Sequence, residues 1–409
     1  MNYEREKDMK LKKIAALALA ASMMALTAGC GNTSDANTAS DDTTAAAEGG
    51  NASDSAVPAD FKVGVIHIGD PADGSGYSYT HDLGIQGMQE NLGLSDDQIV
   101  RKINVSDSDT AATKTAIEEC IAEGCKLIFA TSYGYMETCA ALADEYPDVM
   151  FAHGTGYMSN GTNFFNYFGR IYQARYLAGI AAGLKTETDK IGYVSAYGTE
   201  LAETCSGINA FALGVQSVNP DAEVYVKTLS SWYDPANETA YADALIEMGC
   251  DVISQHCDTA NPQIAAEKAG VFGCGYNSDM TAQAPKAHLT AAIWNWDVYY
   301  TAATQAAIDG TWSDFGNYYG GIAEGFVDVS PLSDNCAEHT ADYIAAARQL
   351  MKDGEWDVFS GVALSFDADG NVVKTDSPIV DNEGNTVDPV TDDIIKGSMN
   401  YFVKGVQLA

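Results

Sequence analysis

Apolar and polar positions after residue 60 follow two alternating patterns. Short runs that are apolar at nearly every position, such as 63–66, are typical of strands buried in a parallel sheet. Longer stretches place apolar residues three and four positions apart, as at Ile117, Cys120 and Ile121, and predict amphipathic helices. We expect such helices at 80–93, 111–123, 208–218 and 239–248.

The strand and helix pattern occurs twice along the chain. Residues 121–128 (IAEGCKLI) end a helix at a glycine and begin a strand, and residues 246–253 (IEMGCDVI) do the same about 125 residues later. Glycine suits the left-handed position at the end of a helix. Chance similarity between buried strands is the alternative, but two further pairs keep a similar offset, namely 62–66 with 190–194 and 148–151 with 270–273.

This repeat predicts an α/β protein with two lobes. Each lobe is expected to contain a parallel sheet whose strands are joined by right-handed crossovers. Ligands of open parallel sheets bind outside the carboxyl ends of the strands, so the residues that follow each strand are the candidate site.

The N-terminus carries the pattern of an export signal. Lys10, Lys12 and Lys13 precede an apolar stretch at 14–26, and Thr27-Ala28-Gly29-Cys30 resembles the bacterial lipobox. We therefore expect a signal peptide at 1–29 and lipidation of Cys30, with an ordinary signal peptide or an uncleaved anchor as alternatives. Met9 is an alternative start residue.

Residues 30–60 are rich in Ala, Ser, Thr, Asp, Asn and Gly, and predict a flexible acidic tether. The remainder is apolar enough for packed cores, since hydrophobic residues make up 46% of the chain. The 57 acidic and 22 basic residues give a formal charge of −35, which disfavours nucleic acids as partners.

Eight cysteines follow Cys30. An even number in an exported protein suggests disulfides, but the chain is large enough to fold without them and contains no C-x-x-C motif. We expect most of these cysteines to be small buried side chains, and we expect no metal site.

Aromatic and polar residues follow the strands predicted for lobe I. The loop after the first strand carries Asp70 and Asp73, either of which is a candidate acidic ligand, followed by Tyr77 and Ser78. The loop after the second strand carries the remaining two candidates, Tyr133 and Tyr135.

The strand ends of lobe II carry carboxylates, amides and a tryptophan. The candidates are Glu203, His256, Asp258, Asn277, Asp279 and Trp294. Asp279 has a second interpretation as a helix N-cap, and we expect one of Trp294 and Trp296 to be a core residue. Because no Lys or Arg follows these strands, the lining suits a flat, uncharged, hydrogen-bonding ligand.

Catalytic and phosphate-binding motifs are missing from the sequence. It contains no G-x-S-x-G, no H-E-x-x-H, no G-x-G-x-x-G and no G-x-x-x-x-G-K-[ST]. We therefore expect a binding protein without a cofactor, and not an enzyme.

Four segments together resemble the basic membrane protein (BMP) family, the substrate-binding lipoproteins of ABC transporters. They are 167–183 (YFGRIYQARYLAGIAAG), 207–211 (GINAF), 276–279 (YNSD) and 284–290 (APKAHLT). The resemblance implies a type I periplasmic-binding-protein fold, in which two Rossmann-like lobes are joined by three crossovers. Lobe I would comprise 61–186 and about 296–312, and lobe II would comprise 187–295 and about 313–409, including a C-terminal extension.

The resemblance also implies a ligand and partners. Tyr77 falls where the family stacks an aromatic ring on a purine, and Asn277 and Asp279 match a strand end that contacts ribose or base. Trp294 stands about where nucleoside-binding members carry a lysine, which favours a free base such as adenine over a nucleoside. Glu203 lies in a loop longer than the family pattern.

The implied protein is a monomer that is anchored to the membrane by lipid and delivers a purine to ABC permease subunits. A surface receptor of the same fold, sensing a purine or a sugar-like signal, is the alternative.

Overall fold

The computed structural model describes residues 57–367, 370–387 and 390–409. The predicted signal peptide, Cys30 and nearly all of the predicted tether lie outside the described residues. Within the described part of the chain, no helix is long and apolar enough to cross a membrane.

The strands have the following bounds: β1 Lys62–Ile66, β2 Ile99–Lys102, β3 Cys125–Ala130, β4 Met150–Gly154, β5 Phe164–Gly169, β6 Lys190–Ser195, β7 Glu223–Thr228, β8 Val252–His256, β9 Phe272–Asn277, β10 His288–Trp294, β11 Tyr318–Gly320, β12 Val327–Val329, β13 Val362–Phe366, β14 Val372–Asp376 and β15 Val406–Leu408. The helices are α1 Gly76–Leu92, α2 Thr110–Ala122, α3 Met136–Glu145, α4 Ile171–Lys185, α5 Ala202–Val218, α6 Pro235–Glu247, α7 Asn261–Ala269, α8 Trp296–Ile308, α9 Trp312–Phe315 and α10 Thr340–Lys352. A single π-helical turn spans Ile394–Ser398.

Two sheets form the cores of two lobes. The lobe I sheet has the order β11-β5-β4-β3-β1-β2, and the lobe II sheet has the order β12-β10-β9-β8-β6-β7-β15. Among the described residues of these two sheets, every strand pair is parallel except β10 with β12. The order β4-β3-β1-β2 in lobe I matches β9-β8-β6-β7 in lobe II, so the predicted internal repeat and the predicted fold class are confirmed.

Local chemistry explains where the helices begin and end. Asp109 caps α2, because its Oδ1 accepts hydrogen bonds from the backbone N–H groups of Ala111 and Ala112, both at 3.0 Å. Helix α1 ends at Gly93, whose φ of 68° lies in the left-handed region that glycine adopts without strain.

Helices α4 and α5 pack tightly on each other because both carry glycines at their contact. A Cβ on Gly179 would meet the carbonyl oxygen of Phe211, and a Cβ on Gly214 would meet that of Tyr176.

The boundaries of the lobes differ from the expected ones. Helix α4 also packs on β10 and β12, so it belongs to lobe II by its contacts, although 61–186 was expected in lobe I. Strand β11 joins the lobe I sheet beyond the expected limit at about 312.

The chain crosses between the lobes three times, at 169–171, 294–296 and 320–327, and the crossings bond to one another. The N–H of Arg170 donates to Gly320 O at 2.7 Å, and the N–H of Asn295 donates to Phe326 O at 2.8 Å. These backbone bonds define a hinge in which all three crossings are joined.

Most elements after β12 pack on lobe II. Helix α10 contacts α4, the β13–β14 hairpin contacts α5 through β13, and β15 pairs in parallel with β7. The eight cysteines after Cys30 are free thiols, and all except the partly buried Cys336 are buried.

Candidate ligand-binding cleft

The two lobes touch where α1 begins. Gly76 has a φ of 83°, and a Cβ at this position would lie only 2.6 Å from the carbonyl oxygen of Asp258 in lobe II. A residue without a side chain is therefore needed for the lobes to close to this distance.

Tyr77 brings an aromatic ring from lobe I to this contact. Its hydroxyl donates to Thr131 O at 2.5 Å, and its ring packs edge-on against His81 with centroids 4.3 Å apart. Burial holds the pKa of Tyr77 well above its usual value, and the charges of Glu203 and Asp258 add to this effect. Tyr77 thus lies within electrostatic range of both lobe II carboxyl groups.

Asp258 and Asn277 form a pair at the ends of β8 and β9. Asn277 Nδ2 donates to Asp258 Oδ1 at 2.9 Å, while the buried Asn277 Oδ1 has no partner among the described residues. Burial raises the pKa of Asp258 to about 7, against the opposing effect of the Asn277 hydrogen bond. Asn277 also has a φ of 67°, a conformation that is uncommon for residues other than glycine and concentrates at functional sites.

Glu203 lies in the first turn of α5, with its side chain 20% exposed. Burial raises the pKa of Glu203 to about 7; the guanidinium of Arg175 opposes this shift and Asp258 adds to it. His256 Nε2 lies 3.7 Å from Glu203 Oε1. Because burial, and secondarily Arg175, hold the pKa of His256 well below its usual value, the imidazole is neutral and the contact is not an ion pair at neutral pH.

Five candidate side chains form what is here called the ligand-binding group: Tyr77, Glu203, His256, Asp258 and Asn277. Arg175 of α4 lies beside this group, although no Lys or Arg was expected at the strand ends. It is 1% exposed, its Cζ lies 4.0 Å from the ring centroid of Tyr276, and its Nη1 donates to Gln255 O. Its Nε and Nη2 have no hydrogen-bond partner among the described residues. The signal in the sequence was a lone guanidinium within the apolar run of 171–183, since a buried arginine requires polar partners.

Trp294 lies on the hinge side of the ligand-binding group. Its Nε1 donates to the Tyr276 hydroxyl at 3.4 Å, and its ring stacks on Trp296 at 4.7 Å. Trp296 in turn stacks on His81 at 4.0 Å, so an aromatic column connects the hinge to lobe I. Both tryptophans are buried.

A cavity of about 220 Å³ lies between the lobes beside this group. Drug-sized ligands occupy pockets of about 300–1,000 Å³, so this space fits a smaller molecule. Its walls come from α1 of lobe I and from the ends of β9 and β10 of lobe II; they include Thr80, Gly84, Asn277, Asp279 and Trp294.

Other candidate residues lie outside the ligand-binding group. Asp73 is exposed, and Asp70, the alternative acidic candidate, caps a short 3₁₀ turn by accepting from Ala72 N at 2.9 Å. Buried Ser78 holds that loop, since its Oγ accepts from Gly69 N at 2.9 Å. Tyr133 is 54% exposed.

Tyr135 and Asp279 have local partners. Tyr135 is buried in the lobe I core and donates to Val105 O at 2.6 Å. Asp279 accepts from Thr281 N at 2.8 Å and from Thr281 Oγ1 at 2.6 Å within a turn, while its side chain borders the cavity. Among the described residues no helix begins between Asp279 and β10, so its second interpretation as a helix N-cap is wrong. The structure therefore brings together Tyr77, Glu203, His256, Asp258, Asn277 and Trp294, and does not add Asp73, Ser78, Tyr133 or Tyr135 to them.

Two lobes that are joined by three crossings and close on a polar, aromatic cleft define a solute-binding protein of the type I periplasmic-binding-protein fold. The chain belongs to the family of PnrA-like ABC transporter substrate-binding proteins, whose model matches residues 61–358. The predicted family is thereby confirmed, and the family is one of binding proteins, not enzymes.

Two relatives agree with this family assignment, and a solved structure agrees with the fold. A Haloferax volcanii protein named as an ABC transporter glucose-binding protein is 34% identical over 84% of this chain and 84% of its own length. A Brucella abortus protein named as a purine-binding protein is 35% identical over 85% of this chain and 93% of its own. The fold resembles that of an ABC transporter solute-binding protein from Conexibacter woesei, with a TM-score of 0.61, 18% identity, and coverage of 73% of this chain and 98% of that one.

The family fixes the general role of the protein. It binds a solute outside the cytoplasm at the membrane and works with an ABC transporter, so its partners are that solute and the permease.

Proposed function

We propose that this protein captures a purine base, with adenine as the preferred ligand, or a purine nucleoside, and presents it to its permease. One arrangement supports the proposal above all. Two carboxyl groups with raised pKa values, Glu203 and Asp258, lie with the unpartnered amide oxygen of Asn277 beside aromatic rings where the lobes meet.

The donor and acceptor pattern suits a heterocycle that carries N–H groups. An ionised carboxylate only accepts hydrogen bonds, and the Asn277 Oδ1 atom is also an acceptor. The exocyclic amine and ring N–H of adenine supply donors for such a set. Stacking of the base on Tyr77 or Trp294 contributes roughly 1–3 kcal/mol per aromatic contact.

Trp294 favours a free base over a nucleoside. Nucleoside-binding members of the family carry a lysine near this position, whereas here an indole is held by Tyr276 and by Trp296. A neutral ring in place of an ammonium removes a donor for ribose oxygens.

The names of the two relatives suggest different ligands, so a sugar is the second candidate. The Brucella abortus relative is named for purines and the Haloferax volcanii relative for glucose, at nearly equal identity. Carboxylates also accept hydrogen bonds from sugar hydroxyls, and aromatic rings pack on sugar faces.

Calorimetry with adenine, guanine, hypoxanthine, adenosine and glucose separates these candidates, preceded by mass spectrometry of any solute released from denatured protein. We expect adenine to bind most tightly and to raise the unfolding midpoint, because a ligand of the native state stabilises it. Binding of glucose without any purine would replace this proposal with the sugar assignment.

We further propose that Cys30 carries lipid and anchors the protein on the extracytoplasmic face of the membrane. The support is the Thr27-Ala28-Gly29-Cys30 pattern after an apolar segment. Metabolic labelling with an alkyne fatty acid tests it: the wild type should be labelled and sediment with membranes, and Cys30→Ser should lose the label. A labelled Cys30→Ser protein would contradict the assignment.

A further inference from the structure

The C-terminal segment 390–404, here called the strap, is fixed to lobe II at one end. Asn209 of α5 binds it twice: Nδ2 donates to Tyr401 O at 2.8 Å, and Oδ1 accepts from Val403 N at 2.9 Å. The parallel pairing of β15 with β7 follows directly in the chain. This end must therefore move with lobe II.

The other end of the strap reaches the hinge and lobe I. Asp392 Oδ2 lies 2.5 Å from Nη2 of Arg170, which stands in the first crossing. Lys396 Nζ lies 4.7 Å from the ring centroid of Tyr319, a residue of β11 in the lobe I sheet. Arg170 binds the same tyrosine, since its Cζ lies 4.5 Å from that ring and its Nη1 donates to Tyr319 O at 2.5 Å.

The contacts of the strap lie close to the ligand-binding group. Asn209 stands on the same helix as Glu203, and Tyr319 is near enough to Glu203 that this carboxyl contributes to raising the pKa of Tyr319, mainly an effect of burial. A displacement of the strap would therefore change both the hinge and one wall of the cleft.

We propose that the strap is a latch, in which the Asp392–Arg170 ion pair and the Lys396–Tyr319 contact hold the lobes closed and slow the release of the bound solute. Its anchor lies on lobe II, while Tyr319 belongs to the lobe I sheet beside the hinge. An opening motion that displaces the lobes at this point would separate Lys396 from Tyr319. The contacts thereby favour the closed population. Both are partly exposed contacts between charged or aromatic groups, which weaken as salt rises.

The matched test compares two double variants with the same change in charge. Asp392→Asn with Lys396→Gln removes the charge from both latch contacts, whereas Asp393→Asn with Lys404→Gln alters neighbouring exposed side chains of the strap. Small-angle X-ray scattering of the ligand-free protein measures closure without reference to any solute. Stopped-flow release of adenine measures its consequence.

We expect the latch variant to show a larger radius of gyration and roughly twofold to fivefold faster release, with a nearly unchanged association rate. The control variant should match the wild type, and Asp392→Glu with Lys396→Arg should restore slow release. Unchanged scattering and release in the latch variant would overturn the proposal, including the case in which only its thermal midpoint falls. Failure of adenine to bind the wild type would count against the proposed ligand and not against the latch. Scattering of the ligand-free protein tests the latch without any ligand.

Discussion

The two lobes face one cleft with different chemistry. In lobe I the hydroxyl groups that follow the strands are bound within the lobe: Tyr77 donates to Thr131 O, and Ser132 donates to Asp107 Oδ2 at 2.6 Å. The ring Nδ1 atoms of His67 and His153 lack hydrogen-bond partners among the described residues. Lobe II differs in bringing carboxyl and amide groups to the cleft: Glu203 and Asp258 have raised pKa values, and the buried Asn277 Oδ1 lacks a partner among the described residues.

This difference indicates a division of labour. Buried polar atoms without partners are costly, so each one calls for an explanation, such as an ordered water or a bound solute. If the proposed site is correct, we expect lobe II to distinguish solutes by hydrogen bonding and lobe I to cover the bound solute with the ring of Tyr77. A solute should bind lobe II first, and closure of lobe I should follow.

The largest expected effect is the loss of a lobe II carboxyl group. Asp258→Ala should weaken adenine binding roughly 10- to 100-fold, because a hydrogen bond to a charged group contributes about 1.5–3 kcal/mol and Asn277 would lose its partner too. Calorimetry at pH 8, where Asp258 is ionised, measures this change.

Asp73→Ala is the matched control in lobe I, since Asp73 is exposed and lies apart from the group. It should leave the affinity unchanged. If Asp73→Ala weakened binding as much as Asp258→Ala, the assignment of discrimination to lobe II would be wrong.

The second effect is the dependence of binding on pH. Glu203 and Asp258 both have pKa values of about 7, raised by burial, and a ligand that donates N–H groups requires the ionised forms. Binding must then release protons, so affinity should rise with pH and be roughly 30-fold weaker at pH 5.5 than at pH 8 for each group that must ionise. Calorimetry across this range measures it.

Glu203→Gln should flatten part of this pH profile. Binding is the better measurement here than unfolding, because two effects on stability oppose each other. The raised carboxyl pKa values make the folded state lose stability as pH rises from about 4 to 7, while the buried neutral His256, with its lowered pKa, does the reverse below pH 6.5. An affinity that falls with rising pH would mean that the neutral acids donate to the ligand.

The third effect belongs to lobe I. Tyr77→Ala should weaken adenine binding about tenfold through lost stacking, while Tyr77→Phe should retain most of the affinity because the hydroxyl is bound to Thr131 O. Titration by intrinsic fluorescence or calorimetry separates the two variants. Equal losses in both would show that the hydroxyl, and not the ring, contacts the solute.

Much of the fold could be predicted because buried strands and amphipathic helices leave a local pattern. The pairing of 121–128 with 246–253 identified equivalent strands, β3 and β8, which occupy matching places in the two sheets. Packing between different elements has no comparable pattern in the sequence and could not be predicted in this way. Helix α4 joins lobe II because its glycines meet α5, a contact between segments that are separated in sequence.

The arrangement of the candidate site could be predicted in part for the same reason. Residues that follow strands converge as expected, as Asp258 and Asn277 do, because the topology of a parallel sheet places them together. Arg175 reaches the ends of β8 and β9 from the interior of helix α4. A search among the residues that follow strands therefore does not find it. Tyr135 follows a strand as Tyr77 does, but a single turn directs its ring into the core.

Tyr135→Phe gives the smallest effect on binding and tests the contrast within lobe I. Its hydroxyl donates to Val105 O in the buried core, so the substitution leaves a buried carbonyl oxygen with one bond fewer. The free energy of unfolding in urea should fall by about 1–2 kcal/mol, while the affinity for adenine should stay within about twofold of the wild type. Tyr133→Phe, at an exposed position two residues earlier, is the control and should change neither quantity. A tenfold loss of affinity in Tyr135→Phe at unchanged stability would place this ring in the cleft after all, and lobe I would then share in recognising the solute.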